Sequence, residues 1–201
     1  HPEPIGYPKA VNAGIREATG EYVVLLNNDT ALLDQQANTW IDMMLQPFED
    51  PEIGITGPMI SFCPYSQEQF LIFFCVMIKS SLFDELGLLD ESFGLGFGED
   101  VDYCIRAKRA GYKIIQVPDQ SLRYDDESKK RMIGSMPIYH EGEATLSEMD
   151  KNPINGKTGV QLLRDNRLKL LHMYGKGKTK LNLGSSDKFI DGYVNVDLFY
   201  E

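Results

Sequence analysis

Basic residues are scarce in this sequence: 20 lysines and arginines stand against 30 acids, a formal charge of −10 over 201 residues. A phosphate backbone needs a basic surface, which excludes nucleic acid as a partner class. An anionic small ligand stays open, provided a divalent cation bridges it to carboxylates. Long apolar runs are missing too. The most apolar, Phe70 to Ile78, is far too short to cross a bilayer, so no transmembrane segment is expected and the run reads as a buried strand. At the start no charged stretch leads into an apolar one, and no signal peptide is visible. Cysteine is sparse: Cys63, Cys75 and Cys104 are odd in number and lack metal-ligand spacing. Cys75 lies in the apolar run and Cys104 on an apolar helical face, where a reduced thiol behaves as a small hydrophobe. A reducing, cytoplasmic setting is expected. Internal repeats are absent.

What is present is enough for a sizeable core. The 42% hydrophobic content and 25% charged content are ordinary for a globular protein. In the run from Ala10 to Ala18, Val11, Ile15 and Ala18 share one helical face, and Gly20 suits the stop. Tyr22 to Leu26 follows, apolar on both faces, as expected of a central strand in a sheet covered on both sides. Ala37, Trp40, Ile41, Met44, Leu45 and Phe48 form one face of an amphipathic helix. Ile53 to Thr56 reads as a short strand. Ser81 to Asp84 has capping-box form, predicting a short helix that ends at Gly87. A glycine-rich stretch, Phe93 to Gly98, leads into Glu99-Asp100 and a helix with Val101, Cys104 and Ile105 inward. Tyr112 to Val117 predicts another strand, 119–137 a polar loop, and Val160 to Tyr174 a final helix. Helices and strands alternate, so the class is α/β with a mostly parallel sheet flanked by helices.

Three places carry candidate chemistry. Asn27-Asn28-Asp29 stands at the carboxyl end of a strand, where open α/β sheets bind ligands. A carboxylate held there can take a divalent cation, and the cation a diphosphate. The plainer alternative is that Asp29 or Thr30 merely caps the next helix. Glu99-Asp100 opens a helix whose dipole favours their ionised state, the state a general base needs. Acids in a first helical turn are also favourable without any catalysis. His140, set among acids in the run from Pro137 to Glu143, can ligate a metal as a neutral imidazole, though a lone histidine is more often a packing residue.

Together these segments resemble the family-2 glycosyltransferases of GT-A fold. The resemblance rests on Asn12-x-Gly14-x-x-x-Ala18-x-Gly20 running into Tyr22 to Thr30, then on Phe83 to Phe93, Glu99-Asp100-Val101-Asp102-Tyr103-Cys104-x-Arg106 and Ala110-Gly111-Tyr112. Order and spacing match from about Gly6 to Asp119. The resemblance implies an inverting transfer of a sugar from a nucleotide-sugar donor to the hydroxyl of a carbohydrate or glycolipid acceptor, as in polysaccharide synthesis. Asn27-x-Asp29 stands at the family's Asp-x-Asp position, with Asn27 in place of the usual first aspartate. Asp29 and His140 are then the expected ligands of Mn²⁺ or Mg²⁺. Asp100 matches the catalytic base, with Glu99 beside it, and Lys9, Asn12, Asn27, Asn28 and Asp29 approach the nucleotide sugar.

The family pattern also has a nucleoside-holding strand, helix and acidic turn that find no counterpart here. The 201-residue chain alone is therefore expected to be inactive, with an apolar sheet edge near Tyr22–Leu26 open to self-association. A non-catalytic sugar-nucleotide binding module of the same fold is the alternative. Residues 1–174 are assigned to a partial transferase domain, 175–179 to a linker, and 180–201 to the start of a second domain. There, Leu181 to Asp187 and Gly192 to Asp197 resemble the first strand, loop and strand of an S-adenosylmethionine methyltransferase, which leaves a methyltransferase as a third reading.

Overall fold

The computed structural model describes residues 5–117, 132–133, 136–140, 144–175, 181–183 and 194–196. The chain divides into two units, residues 1–61 with 69–144, and residues 62–68 with 145–201. The division falls near 144, ahead of the expected linker at 175–179.

The first unit is built on a four-stranded sheet. Its strands are β1 (Tyr22–Leu26), β3 (Ile53–Gly57), β6 (Cys75–Lys79) and β7 (Lys113–Gln116), in the order β1-β6-β3-β7. The α/β class stands, but the sheet is mixed: β1 and β3 each run antiparallel to β6, and only β3 and β7 are parallel. Between them in sequence lie α1 (Tyr7–Glu17, before β1), β2 (Thr30–Leu32), α2 (Thr39–Leu45), α3 (Ser80–Leu86) and α4 (Glu99–Arg109). A second, three-stranded sheet pairs β2 antiparallel with β9 (Ile138–His140), and β9 with β8 (Met132–Ile133). A hairpin of β4 (Ile60–Cys63) and β5 (Glu68–Leu71) leads into β6.

Both faces of the main sheet are buried, as its apolar strands require. On β6, Val76 and Ile78 join one core with Leu25 of β1, Ile55 of β3, and Ile15, Leu82, Phe83, Tyr103 and Ala107 from α1, α3 and α4. Cys75 and Met77, one residue out of phase, join the other core with Met44, Phe48, Met136 and Ile138. That is the two-residue alternation of a strand. On β3 the alternation breaks, since Ile53 and Ile55 face opposite cores. A register shift between them accounts for this, one extra residue inverting the faces. It falls at Gly54, where a Cβ would lie 2.8 Å from Leu82 Cδ2 and 3.0 Å from Tyr112 Cβ.

Three expectations are corrected. The strand at Tyr22–Leu26 has apolar neighbours on both faces but ends the order of the four described strands, and Leu26 is 46% exposed. The apolar run 70–78 is two strands, β5 and β6, interrupted at 72–74. The helix at 80–86 forms and stops at Gly87, whose φ of 79° suits glycine. However, its N-cap is Lys79 and no side chain caps it.

The second unit holds α5 (Ala144–Lys151), α6 (Gly159–Tyr174), and the strands β10 (Leu181–Leu183) and β11 (Val194–Val196). Thr158 and Gln161 form a reciprocal capping box at the start of α6. β10 and β11 pair in parallel. The loop expected to resemble a methyltransferase's, 184–193, lies outside the described residues, as do 119–131 and 134–135 of the polar loop. Among the described residues no helix is long and apolar enough to cross a membrane.

Candidate active site

Asp29 is not a helix cap. The chain passes from β1 through a turn at Asn28-Asp29 into β2, and the next helix starts ten residues later, at Thr39. Thr30 Oγ1 donates to the Asn27 carbonyl at 2.6 Å and tightens the turn. Pairing of β2 with β9 sets Thr30 opposite His140, bringing together residues more than a hundred positions apart. His140 Nε2 lies 3.1 Å from Asp29 Oδ1 and 3.4 Å from Asn27 Nδ2. The imidazole is buried and stacks on Phe74, with ring centroids 4.5 Å apart and planes 7° from parallel. The Asn27 side-chain oxygen is buried without a hydrogen-bond partner.

These three side chains fit a divalent cation. A carboxylate, an amide oxygen and an imidazole nitrogen are the donor types such an ion takes. An amide oxygen buried without a donor is an open acceptor that a water or a cation can fill. Among the described residues no group of three or more His, Cys, Asp or Glu side chains is placed to hold a metal ion; the cluster offers one carboxylate and one imidazole beside the Asn27 amide. Asn28, next in the turn, is exposed.

Glu99 and Asp100 occupy the first turn of α4, after a loop in which Gly94, Gly96 and Gly98 take φ of 66°, 130° and 126°. Those angles explain the alternating glycines; Phe97, at φ 71°, takes the same region without being glycine and carries backbone strain beside the pair. The helix dipole does not keep both acids ionised. Glu99 is only 6% exposed, and burial, reinforced by the Asp100 charge, lifts its carboxyl well above the usual range. Burial also lifts Asp100, less far, because the backbone amides of Val101, Gly98 and Phe73 favour its charged form. Both carboxyls are thus raised, and their mutual repulsion opposes charging both at once.

Phe74 holds one of the two places: its carbonyl accepts the Asn27 N–H at 2.8 Å and its ring carries His140. The Asn27–Asp29–His140 cluster thus hangs on a residue just before β6. The sequence reading placed 70–78 in one strand and missed this. The one local sign was three bulky residues, Ile72-Phe73-Phe74, ahead of the β-branched stretch.

Asn12, expected at the nucleotide sugar, has another task. It is 1% exposed, donates to the Leu89 carbonyl at 2.9 Å and to Glu91 Oε1 at 3.0 Å, and accepts the Leu89 N–H at 3.0 Å. Its amide is spent on holding α1 to the segment before the glycine-rich loop. Lys9 is exposed on α1.

No protein-family model matches the chain. Among curated proteins it is 21% identical over 165 residues to the O-antigen biosynthesis protein RfbC of Myxococcus xanthus, an alignment covering 64% of this chain and 13% of that protein. It is 22% identical over 171 residues to the pre-mycofactocin glycosyltransferase of Mycobacterium tuberculosis, covering 72% of this chain and 35% of that protein. The chain thus spans about a third or less of the length of these relatives. Among solved structures it overlays on a mannosyltransferase of Pyrobaculum calidifontis, in complex with GDP-Man and Mn²⁺, with a TM-score of 0.44, 17% identity, 82% of this chain and 49% of that one.

Proposed function

We propose that this chain carries the chemistry of a nucleotide-sugar glycosyltransferase, inverting and dependent on a divalent cation. The observation that carries the reading is the gathering of Asn27, Asp29 and His140 at the carboxyl end of β1, together with buried Glu99 and half-buried Asp100 in the first turn of α4 after the glycine-rich loop. The curated relatives with a named role act in O-antigen biosynthesis or as a glycosyltransferase, which agrees with it.

In this reading Asn27, Asp29 and His140 would hold Mn²⁺ or Mg²⁺, and the ion would supply positive charge for the leaving nucleoside diphosphate. Asp29 and Asn27 orient the diphosphate end of the donor, and the Phe74 ring fixes the imidazole plane. Asp100 Oδ takes the proton from an acceptor hydroxyl. The hydroxyl oxygen bonds to the anomeric carbon as the bond from that carbon to the diphosphate oxygen breaks, a single displacement that inverts the centre. Burial and the neighbouring charge oppose ionisation of Glu99 more than that of Asp100, which suits Asp100 to the base's role. The acceptor is a carbohydrate or glycolipid, and the setting polysaccharide or glycoconjugate synthesis.

Calorimetric titration with UDP- and GDP-sugars tests the donor half. Binding is expected with Mn²⁺ present, and its loss in Asp29→Asn with the melting temperature nearly unchanged, since a partly exposed charge pair contributes about 1 kcal/mol or less. Equal metal-dependent binding by the variant would remove Asp29 from the site. Donor binding without any transfer, in a version of the protein that also carries a nucleoside-holding segment ahead of α1, would favour the binding-module alternative.

A further inference from the structure

Gln35 belongs to no motif singled out in the sequence, yet its side chain ties together three elements around His140. The imidazole reaches Asp29 through the pairing of β2 with β9, a short ladder of Thr30–His140, Ala31–Tyr139 and Leu32–Ile138. Beyond it the Leu33 N–H donates to the Pro137 carbonyl at 2.9 Å. The reciprocal bond of such an antiparallel pair would run from the N–H of residue 137 to the Leu33 carbonyl. Proline has no N–H to give. Gln35 Nε2 stands in its place, donating to the Leu33 carbonyl at 3.1 Å and to the Pro137 carbonyl at 3.1 Å. Its Oε1 accepts the Trp40 N–H at 3.1 Å, in the first turn of α2, whose N-cap residue Asn38 provides no side-chain cap. The reverse amide orientation would set an oxygen against two carbonyls, so the three contacts together fix one orientation.

The glutamine thus joins the end of β2, the start of β9 and the start of α2. The same elements share a core, in which Met44 of α2 packs with Met136 and Ile138 on either side of Pro137. Register is critical here. A slip of one residue would turn His140 to the other face of its strand, off the Phe74 ring and away from Asp29 and Asn27. We propose that Gln35 is a positioning residue for His140: its amide supplies the ladder hydrogen bond that Pro137 cannot make, and so locks the register that sets the imidazole against Asp29. Its bearing on metal binding rests on the transferase reading above, but the register itself does not.

The His140 ring stacks on Phe74 with centroids 4.5 Å apart, so the ring current of the phenyl group should move the imidazole protons upfield of those of an exposed histidine. The test follows these signals, and hydrogen exchange of the Leu33 amide, by NMR in the wild-type chain, Gln35→Glu, Gln35→Met and Gln116→Met. Gln35→Glu keeps an acceptor for Trp40 and loses the amide donors, which separates register from helix capping. Gln116→Met is the control, since it also takes a glutamine amide from a proline carbonyl, that of Pro58 at 3.0 Å. Both Gln35 variants should move the imidazole signals toward exposed values and speed Leu33 exchange about three- to tenfold. The control should do neither. Adding Pro137→Ala to Gln35→Met returns a main-chain N–H opposite Leu33 and should bring the imidazole signals back. Wild-type signals in both Gln35 variants, an equal movement in Gln116→Met, or no recovery in the double variant overturns the proposal. With Mn²⁺ alone as the probe, Kd should rise about three- to tenfold in the Gln35 variants; wild-type affinity in both also overturns it. Failure of the wild-type chain to bind Mn²⁺ would count against the transferase reading and leave the imidazole signals to decide the role of Gln35.

Discussion

At the residue scale the acid pair is the most demanding feature. A carboxyl whose folded pKa is raised above its unfolded value binds more protons in the native state. Its stabilising contribution is present below the ordinary carboxylate range near pH 4 and is lost as pH rises through the raised folded value. Glu99 and Asp100 are both raised, Glu99 more. Stability to urea should therefore decline from mildly acidic to alkaline pH, and Glu99→Gln should flatten that decline. A wild-type profile that instead rises over the same interval would mean the pair is not desolvated. The two acids should also separate in kinetics. In a version that also carries the nucleoside-holding segment, Asp100→Asn should cut transfer by about 10²–10⁴-fold with donor affinity near wild type, whereas a loss of that size in Glu99→Gln alone would reverse their roles.

At the element scale the site depends on how α1 and α4 are pinned. Arg106 reaches from α4 to the Leu86 and Leu88 carbonyls at 2.8 and 3.0 Å, pairs with buried Asp102 at 2.8 Å and lies over the Tyr103 ring. Asn12 makes the matching link from α1 to Leu89. Both clamps act on the segment between α3 and the glycine-rich loop. Asn12→Ala leaves the Leu89 amide and carbonyl without that partner, so it should cost about 1–3 kcal/mol in denaturant unfolding. Donor affinity, measured well below the transition, should not change. Weaker donor binding with unchanged stability would return Asn12 to the ligand site. The asparagine's type and position were visible in the sequence, but a residue that meets a ligand and one that meets a distant backbone share the same local pattern.

For the whole molecule, charge decides how a diphosphate can be held. A formal charge of −10 repels an anion at long range, and the candidate donor end presents Asp29 itself. With a chelator present, GDP or UDP should give no measurable calorimetric signal. Mn²⁺ together with the nucleotide should raise the melting temperature, as a ligand selective for the native state does. Nucleotide binding that survives chelation would move recognition away from Asn27, Asp29 and His140.

The sequence by itself determined the elements and the residue types at the site: α1, β1, α2, α3, α4 and β7 follow from periodicity and glycine stops, which are local properties. Asp29, Glu99 and Asp100 stood out because they end a strand or open a helix. Tertiary structure alone decided the rest. It placed β1 at the end of the described sheet, ran β6 against its neighbours, and split the apolar run at 72–74, since strand direction and pairing are set by partners distant in the chain. It brought His140 to Asp29 through the pairing of β2 with β9, withdrew Asn12 into a clamp, and raised the acid pair by burial where the helix dipole had suggested two charges. Desolvation is the sum of what surrounds a group on every side, and Tyr7 and the glycine-rich loop beside Glu99 come from separate stretches of the sequence.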